Sequence, residues 1–431
     1  MTEISKNVDV IIIGGGFAGM NTARLLSKKN INCEIFTSGF GASNLWVGTI
    51  DLLKSQKTDL DKEFNQFKNE FPNHPYKYLN FDEINEAILN LANDFPDLHI
   101  FKKNNKLTNN LVLTIIGNLK PCVGVWSTIF HDVGLFNDDN TTFLVDFIEF
   151  NNSAMDLVSR NLKDRYKGNF QVLNLSFIEL LKKWDPNIDN ESLPVKLSEN
   201  LIANYFDNYF GSVEVLGNYI LNELKKQGKK ILKSERVYYL FPPVLGIKNY
   251  PNVIEILSKQ LNAICGELVA LSPSLMSKRF IQKFEKNLRD LFVKINKGYM
   301  LIEIGKNLEN NDLIWDLTFQ NRAEEKKIIK AKYLVLATGS MFQEGIIYSE
   351  DAVKNNFKKL SIPFPNKLKK SYEILINSEK NKNSNIFVCG SALYTFMGEI
   401  SDEEEIKHGT GLGLAIATSS KVANEIINRI Q

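Results

Sequence analysis

Three glycines near the start of the chain have the spacing of a nucleotide-binding turn. Gly14, Gly16 and Gly19 follow a β-branched run at 8–13 and precede an apolar stretch with helical spacing at 20–26. In a G-x-G-x-x-G turn the first glycine permits the turn, the second lets a pyrophosphate approach the backbone, and the third lets helix and strand pack closely. Phosphates would bind at the helix amino end, where unpaired N–H groups and the helix dipole favour negative charge. The pattern predicts a strand, a tight turn and a helix that bind a nucleotide.

The end of the next predicted strand lacks an acidic residue. Residues 31–39 read as a second parallel strand, and an acid that binds the ribose commonly stands at its end, about 20 residues after the glycines. Thr37 and Ser38 occupy that position instead, and Glu34 lies in mid-strand, where it would face one side of the sheet. We infer either a shortened mononucleotide cofactor or an adenosine half that is held by hydroxyl groups.

Two further glycine-containing strand ends appear late in the chain. One is the sequence Ala-Thr-Gly at 337–339, and the other is Gly390, which is followed by a helix starting at Gly409, Thr410 and Gly411. A nicotinamide dehydrogenase needs only the first glycine turn, whereas flavoproteins of the glutathione-reductase and fumarate-reductase kind use all three strand ends. Reduced flavin carries negative charge near N1 and O2, which the N–H groups of the last helix could stabilise. The three strand ends together predict a flavin site.

The order of the predicted elements gives an α/β fold, with a Rossmann-like FAD/NAD(P)-binding domain and an inserted α+β domain. We assign residues 1–58, 276–345 and 383–431 to the flavin-binding domain and residues 59–275 to an inserted substrate or cap domain. The assignment rests on the loss of the strand–helix–strand rhythm in the middle of the chain and its return towards the end.

Composition excludes several classes of protein. The formal net charge is +2, which does not favour nucleic-acid binding. The N-terminal apolar run is only as long as a strand, and the sequence has no run of about 20 apolar residues, so we expect neither a signal peptide nor a membrane span. The cysteines form no C-x-x-C pair, so they predict reduced thiols and neither a zinc nor an iron–sulfur site. They are Cys33, Cys122, Cys265 and Cys389.

Several longer segments resemble the B subunit of the anaerobic glycerol-3-phosphate dehydrogenase family, a family of flavoproteins, over nearly the full length of the chain. The matching segments include GASNLWVGTIDLL at 41–53, HPY at 74–76, LTIIGNLKP at 113–121, VLATGSMFQEGI at 335–346 and IKHGTGLGLAIAT at 406–418. The last segment has His408 where the family usually has an acid.

The resemblance implies a flavin-dependent oxidation of sn-glycerol 3-phosphate to dihydroxyacetone phosphate, with electrons passing to quinone in anaerobic respiration. The cofactor it implies is FMN, with FAD as the alternative. It also implies a cytoplasmic protein that reaches the inner face of the cell membrane through partners. Those partners are a second flavoprotein subunit and a membrane-associated iron–sulfur subunit.

Oxidation of an alcohol carbon needs a base for the hydroxyl proton and cations for a phosphate. Imidazoles titrate near pH 7, so His74 and His408 are the predicted catalytic bases, and Arg279 and Lys278 at a helix start are the predicted phosphate ligands. The predicted cofactor contacts are Gly14, Gly15, Gly16, Ala18, Gly19, Thr37, Ser38, Gly48, Thr338, Gly339, Gly390, Gly409, Thr410 and Gly411.

Two other functions remain open at this stage. One is a flavoprotein dehydrogenase or reductase for another substrate, such as an isoprenoid or a hydroxy acid. The other is a flavin-bearing electron-transfer or assembly subunit without a substrate site of its own, since the partner flavoprotein in the family resembles a complete dehydrogenase.

Overall fold

The computed structural model describes most of the chain as alternating strands and helices. The described residues are 7–55, 59–137, 139–150, 153–186, 196–209, 211–229, 236–309, 312–339, 347–349, 352–354, 361–363, 368–375, 383–397 and 411–431. The helices are α1 (Phe17–Ser27), α2 (Leu60–Glu70), α3 (Phe81–Asp94), α4 (Met155–Arg165), α5 (Phe177–Trp184), α6 (Glu199–Asn208), α7 (Ser212–Lys226), α8 (Tyr250–Leu261), α9 (Leu275–Asp290), α10 (Leu393–Phe396) and α11 (Leu412–Ile430).

Most strands in the first half of the chain are short, and the three longest described strands there have seven residues each. They are β1 (Asn7–Ile13), β2 (Cys33–Thr37), β3 (Thr49–Ile50), β4 (Leu98–Ile100), β5 (Lys102–Lys103), β6 (Lys106–Leu107), β7 (Asn110–Leu113), β8 (Leu119–Cys122), β9 (Gly124–Trp126), β10 (Thr141–Phe147) and β11 (Asn169–Leu175). The later strands are β12 (Val237–Phe241), β13 (Ile264–Glu267), β14 (Lys294–Lys297), β15 (Tyr299–Glu309), β16 (Asp312–Asn321), β17 (Lys326–Leu336), β18 (Ile347–Ser349), β19 (Ala352–Lys354), β20 (Ser361–Pro363) and β21 (Ile386–Val388).

The main sheet is the Rossmann-like sheet that the sequence predicts. Its order is β14-β2-β1-β17-β16-β15, and β21 pairs with β17. The first four of these strands are parallel, whereas β15, β16 and the first half of β17 form an antiparallel extension. Val10, Ile11 and Ile12 of β1 are fully buried, as expected for a central parallel strand with helices on both faces.

Helices from distant parts of the sequence cover this sheet. On α1, Asn21 donates hydrogen bonds to Ser419 at 2.8 Å and Ser420 at 3.2 Å on α11. Arg24 of α1 reaches Asn90 of α3 at 2.9 Å and forms an ion pair with Asp94. The hydrophobic core of the main sheet also includes residues that lie between β3 and β10 in the sequence. Residues on both sides of the predicted boundary at residue 59 contribute to this core, which includes side chains of α2, α3, β4 and β9.

A second sheet has the order β11-β10-β12-β13 and is parallel throughout. It has its own hydrophobic core, formed with residues from α5 to α8. Its alternation of strands and helices is hard to see in the sequence, because α5, α6 and α7 of the described residues all lie between β11 and β12. This sheet and its helices form a parallel α/β unit, which follows the short strands of the 98–126 region.

Candidate functional site

A cavity of about 610 Å³ lies at the carboxyl ends of β1, β2, β17 and β21. Gly14 follows β1, Ser38 follows β2, Thr338 follows β17 and Gly390 follows β21, and all four line the cavity. Ligands of open α/β sheets bind outside the carboxyl ends of the strands, and the volume is within the usual range for small-molecule sites, about 300–1,000 Å³. The three glycine-containing strand ends therefore meet at one site, as the sequence predicts.

The glycine turn between β1 and α1 has two kinds of glycine. Gly14 has a φ of +117°, and a side chain there would overlap the carbonyl of Ala337 on the neighbouring strand. A side chain at Gly19 would overlap the carbonyl of Gly14, so helix and strand pack as closely as the motif predicts. These two glycines are required by the fold itself.

Gly16 differs, because the fold does not require a glycine there. Its backbone is extended, with φ −74° and ψ 178°, which any residue adopts. An added Cβ would meet only the Ser43 hydroxyl at 3.2 Å and the carbonyl of Phe40 at 3.6 Å. Gly16 lines the cavity. The absence of a side chain at this position leaves room for a ligand at the amino end of α1.

Ser43 completes the amino end of α1. It lies in a 3-10 turn at Gly41–Leu45, and its hydroxyl accepts a hydrogen bond of 2.8 Å from the N–H of Phe17. It also lines the cavity. Sequence reasoning missed this residue, although it lies in the segment at 41–53 that carries the family resemblance.

The end of β2 is shaped by a hydroxyl group. The Thr37 side chain accepts a hydrogen bond of 3.0 Å from the N–H of Gly39 and donates one to its carbonyl oxygen. Ser38 is exposed beside it. Glu34 lies in mid-strand and accepts a 2.9 Å hydrogen bond from Asn296 on β14, so it does not reach the strand end.

The last glycine strand end is joined to α11. The Gly390 N–H donates to the hydroxyl of Thr418 at 2.9 Å, and Gly390 has a φ of +68°. Gly411 is the N-cap of α11 and lines the cavity. Gly409 and Thr410, together with the predicted base His408, lie outside the described residues.

Comparison with known proteins identifies the nucleotide. The family described as "FAD binding domain" matches residues 9–167, which include the glycine turn. This part of the chain is similar to a FAD-binding domain. The predicted flavin is confirmed, and of the two flavins that the sequence left open, the family match names FAD.

The chain is similar over nearly its full length to curated proteins named as the B subunit of anaerobic glycerol-3-phosphate dehydrogenase. The one from Mannheimia succiniciproducens is 25% identical, over 98% of this chain and 98% of that protein. The one from Actinobacillus pleuropneumoniae serotype 5b is 22% identical, over 97% of this chain and 99% of that protein. The predicted resemblance is confirmed. A flavoprotein/dehydrogenase from Cytophaga hutchinsonii aligns with 99% of this chain and 79% of its own, at 10% identity and a TM-score of 0.31.

The residues of the FAD-binding domain fit a dinucleotide. The open position at Gly16 and the amino end of α1 suit its pyrophosphate. The Thr338 hydroxyl is buried in the cavity wall without a hydrogen-bond partner in the described structure, which leaves a polar atom for a ligand to satisfy. On the β2 side, Phe40, Tyr299 and Arg322 add aromatic and cationic surface suited to an adenosine.

His74, a predicted catalytic base, lies away from the cavity in a buried group of side chains. It is fully buried and does not line the cavity. Its Nδ1 accepts a hydrogen bond from the N–H of Tyr76 at 3.1 Å, and its Nε2 lies 2.8 Å from the Tyr394 hydroxyl. Since Nδ1 accepts, the neutral ring carries its proton on Nε2. The structure therefore places His74 in a packed, hydrogen-bonded position outside the described cavity lining.

Tyr76 is not an alternative base. Burial raises the pKa of Tyr76 well above its usual value, and the nearby Tyr394 and Asp51 raise it further. Its phenol therefore stays protonated in the neutral range.

Arg279 and Lys278, the predicted phosphate ligands, do not line the cavity. Arg279 is 1% exposed and forms a two-pronged ion pair with Glu267, at 2.5 Å and 3.0 Å. Its Nε donates to the carbonyl of Gly246 at 2.8 Å. Lys278 is exposed and reaches Asn200 at 2.5 Å. In the structure Arg279 connects α9 to the second sheet, and its guanidinium is engaged by Glu267 and the Gly246 carbonyl.

Two of the predicted glycine contacts serve packing. A side chain at Gly48, whose φ is +98°, would come within 2.5 Å of Ile129, and Gly48 does not line the cavity. Gly19 has the packing role described above. By contrast, Gly15, Ala18, Thr37 and Gly339 lie on the cavity wall as predicted.

Sequence reasoning missed the charged residues of the cavity wall. Within the described residues that line the cavity, the charged side chains are Asp51 and Arg322. A third charged side chain lies next to Asp51, since the Asp51 carboxylate forms an ion pair with Lys120. Asp51 and Lys120 both lie in segments that carry the family resemblance, which was the available signal.

The structure contains no helix long and apolar enough to cross a membrane, as far as the described residues show.

Proposed function

We propose that this chain is a FAD-dependent dehydrogenase that oxidises sn-glycerol 3-phosphate to dihydroxyacetone phosphate. The observation that carries the proposal is the convergence of three glycine-containing strand ends on one cavity at the carboxyl edge of the main sheet. The full-length similarity to proteins named as the B subunit of anaerobic glycerol-3-phosphate dehydrogenase suggests the substrate.

The chemistry agrees with the construction of the site. Oxidation of the secondary alcohol removes a carbon-bound hydrogen with two electrons and the proton of the hydroxyl group. FAD, when bound, supplies the acceptor for that hydrogen and both electrons. The chain supplies the amino ends of α1 and α11, whose N–H groups favour negative charge at the phosphates and at the far edge of the cofactor.

We further propose that the electrons leave through partner subunits. The cysteines of this chain form no C-x-x-C pair, so the sequence offers no iron–sulfur relay of its own. The relatives are named as one subunit of a larger enzyme. We expect a second flavoprotein and a membrane-associated iron–sulfur subunit to connect this chain, on the cytoplasmic side, to quinone.

One observation favours a second candidate function. Neither the predicted base His74 nor the predicted phosphate ligand Arg279 lines the cavity. If the substrate does not react on this chain, the chain is a flavin-bearing electron-transfer subunit, and catalysis takes place on the partner flavoprotein. An oxidoreductase for another substrate is the remaining alternative.

Two measurements separate these functions. Heat release and chromatography identify the flavin, and we expect FAD. Anaerobic mixing of the reconstituted complex with sn-glycerol 3-phosphate should then bleach the flavin of this chain, whereas lactate and glycerol should not. Flavin that is reduced only when the partner flavoprotein is present and active would support the electron-transfer function. If sn-glycerol 3-phosphate does not reduce the flavin either with or without the active partner flavoprotein, the proposed substrate is refuted.

A further inference from the structure

An ion pair lies at the cavity on the side of α11. The Lys120 ammonium is 2.8 Å from the Asp51 carboxylate and donates a hydrogen bond of 2.8 Å to the Thr49 hydroxyl. Asp51 and Thr49 both line the cavity, and Lys120, which is not itself a lining residue, lies directly behind them through these two contacts. The side chains of Lys120 and Asp51 are 30% and 35% exposed, so solvent and small solutes reach the pair.

The pair is held close to the start of α11. A Cβ built at Gly411 would lie 3.6 Å from the Asp51 carboxylate, and one built at Gly413 would overlap the Asp51 backbone carbonyl. Asp51 therefore lies against the first turn of α11, whose amino end carries partial positive charge.

Lys120 reaches this position from a hairpin that is separate in sequence from the strand ends. It lies on β8, which pairs with β7, and Val112 is its partner across the hairpin. Both charges of the pair act on the nearby Cys122 thiol. Burial raises its pKa most, the Asp51 carboxylate raises it further, and the Lys120 ammonium lowers it. The fold thus brings a cation to Asp51, next to the first turn of α11, whereas the cationic side chain among the described lining residues is Arg322.

We propose that Lys120, held by Asp51 and Thr49, binds the anionic group of the substrate at the α11 side of the cavity. An ammonium group has three N–H donors. Asp51 and Thr49 take two of them, and within the described structure the third has no protein partner. Lysine binds phosphate as a point charge, and the cation that the sequence assigned to this task, Arg279, is committed to Glu267. The inference rests on the proposed function only in that the substrate carries an anionic group.

The charge arithmetic makes the inference testable. Asp51 and Lys120 together are neutral, so Lys120→Met leaves the wall with one negative charge, and Asp51→Asn leaves it with one positive charge. Lys120→Met should therefore raise the dissociation constant of an anion, and Asp51→Asn should lower it. A purely structural pair would give a different result, since loss of either partner would disturb the wall and weaken binding.

The experiment titrates the FAD-loaded protein with inorganic phosphate and, separately, with sn-glycerol 3-phosphate, and follows the perturbation of the flavin absorption. We expect Lys120→Met to raise both dissociation constants at least tenfold, Lys120→Arg to raise them less, and Asp51→Asn to lower that of phosphate severalfold. Lys106→Met is the matched control, because Lys106 is ion-paired with Asp61 at 3.0 Å but is more exposed and lies outside the cavity. It should bind both anions like the wild type.

The inference is overturned if Lys120→Met binds phosphate as tightly as the wild type, if Asp51→Asn weakens phosphate binding, or if the wild type binds no phosphate. Flavin content of each variant shows that the cavity has formed, and Asp51→Asn carries the test should Lys120→Met lose its flavin. Failure of the proposed function looks different: phosphate would bind with the expected charge dependence, but sn-glycerol 3-phosphate would not reduce the flavin.

Discussion

Replacement of Gly16 by valine tests the cofactor site most directly, because the structure separates its effect on binding from its effect on folding. The Gly16 backbone has an extended conformation that any residue adopts, and a Cβ there would lie 3.2 Å from the Ser43 hydroxyl, a close contact that a small shift of this side chain would relieve. We expect the apoprotein to lose about 1 kcal/mol of stability, as for an ordinary destabilising substitution. The valine would nevertheless fill the position that the pyrophosphate needs.

The loss of binding can be estimated from the contacts that the valine blocks. If two backbone N–H groups at the start of α1 lose their hydrogen bonds to the pyrophosphate, at about 1.5–3 kcal/mol each, the total is about 3–6 kcal/mol. That corresponds to a rise in the FAD dissociation constant of about 10²- to 10⁴-fold. Isothermal titration of the apoprotein with FAD measures this change, and circular dichroism on heating measures the stability.

Two variants act as controls for Gly16→Val. Gly19→Val should unfold the domain, since its side chain would overlap the Gly14 carbonyl. Gly305→Ala, on β15 of the same sheet and outside the cavity, should bind FAD like the wild type. A Gly16→Val protein that retains full flavin occupancy, or one that unfolds as completely as Gly19→Val, would refute this account of the turn.

Three further predictions concern the fold around the site. Arg279→Met leaves the buried Glu267 carboxylate unpaired, so urea unfolding should show a loss of about 3–5 kcal/mol, and an unchanged midpoint would contradict the assigned ion pair. Burial raises the pKa of Glu373, but hydrogen bonds from Arg429 and other donors outweigh it and leave the pKa below its usual value. Ionised Glu373 therefore contributes stability above about pH 4.3 that is lost as the pH falls through its lowered pKa, and Glu373→Gln should flatten this acid limb of the stability profile. Burial raises the pKa of all the thiols, so a disulfide reagent should modify them quickly only after unfolding, and a fast-reacting thiol in the native protein would contradict the burial. The thiols are those of Cys33, with a pKa of about 11, Cys265 and Cys389, each about 12, and Cys122.

The sequence alone determined the elements whose signals are local. The glycine spacing at 14–19 requires a tight turn between a strand and a helix, and the structure has β1 and α1 there. The apolar runs that end near Leu336 and Val388 are buried strands of the main sheet. Their glycine-containing ends meet at the cavity, because the carboxyl ends of parallel strands lie on one edge of a sheet.

The tertiary structure decided which charged and titratable residues reach the cavity. In the sequence His74 is a candidate base and Arg279 a candidate phosphate ligand, but in the structure both are buried, His74 next to the Tyr394 hydroxyl and Arg279 in an ion pair with Glu267. Lys120 looks like a hairpin lysine, and only the pairing of distant strands brings it to Asp51. Side-chain type and spacing specify local backbone geometry, whereas access to a ligand depends on which long-range neighbours cover a group, and the chain fixes those neighbours only when its sheets and helices pack.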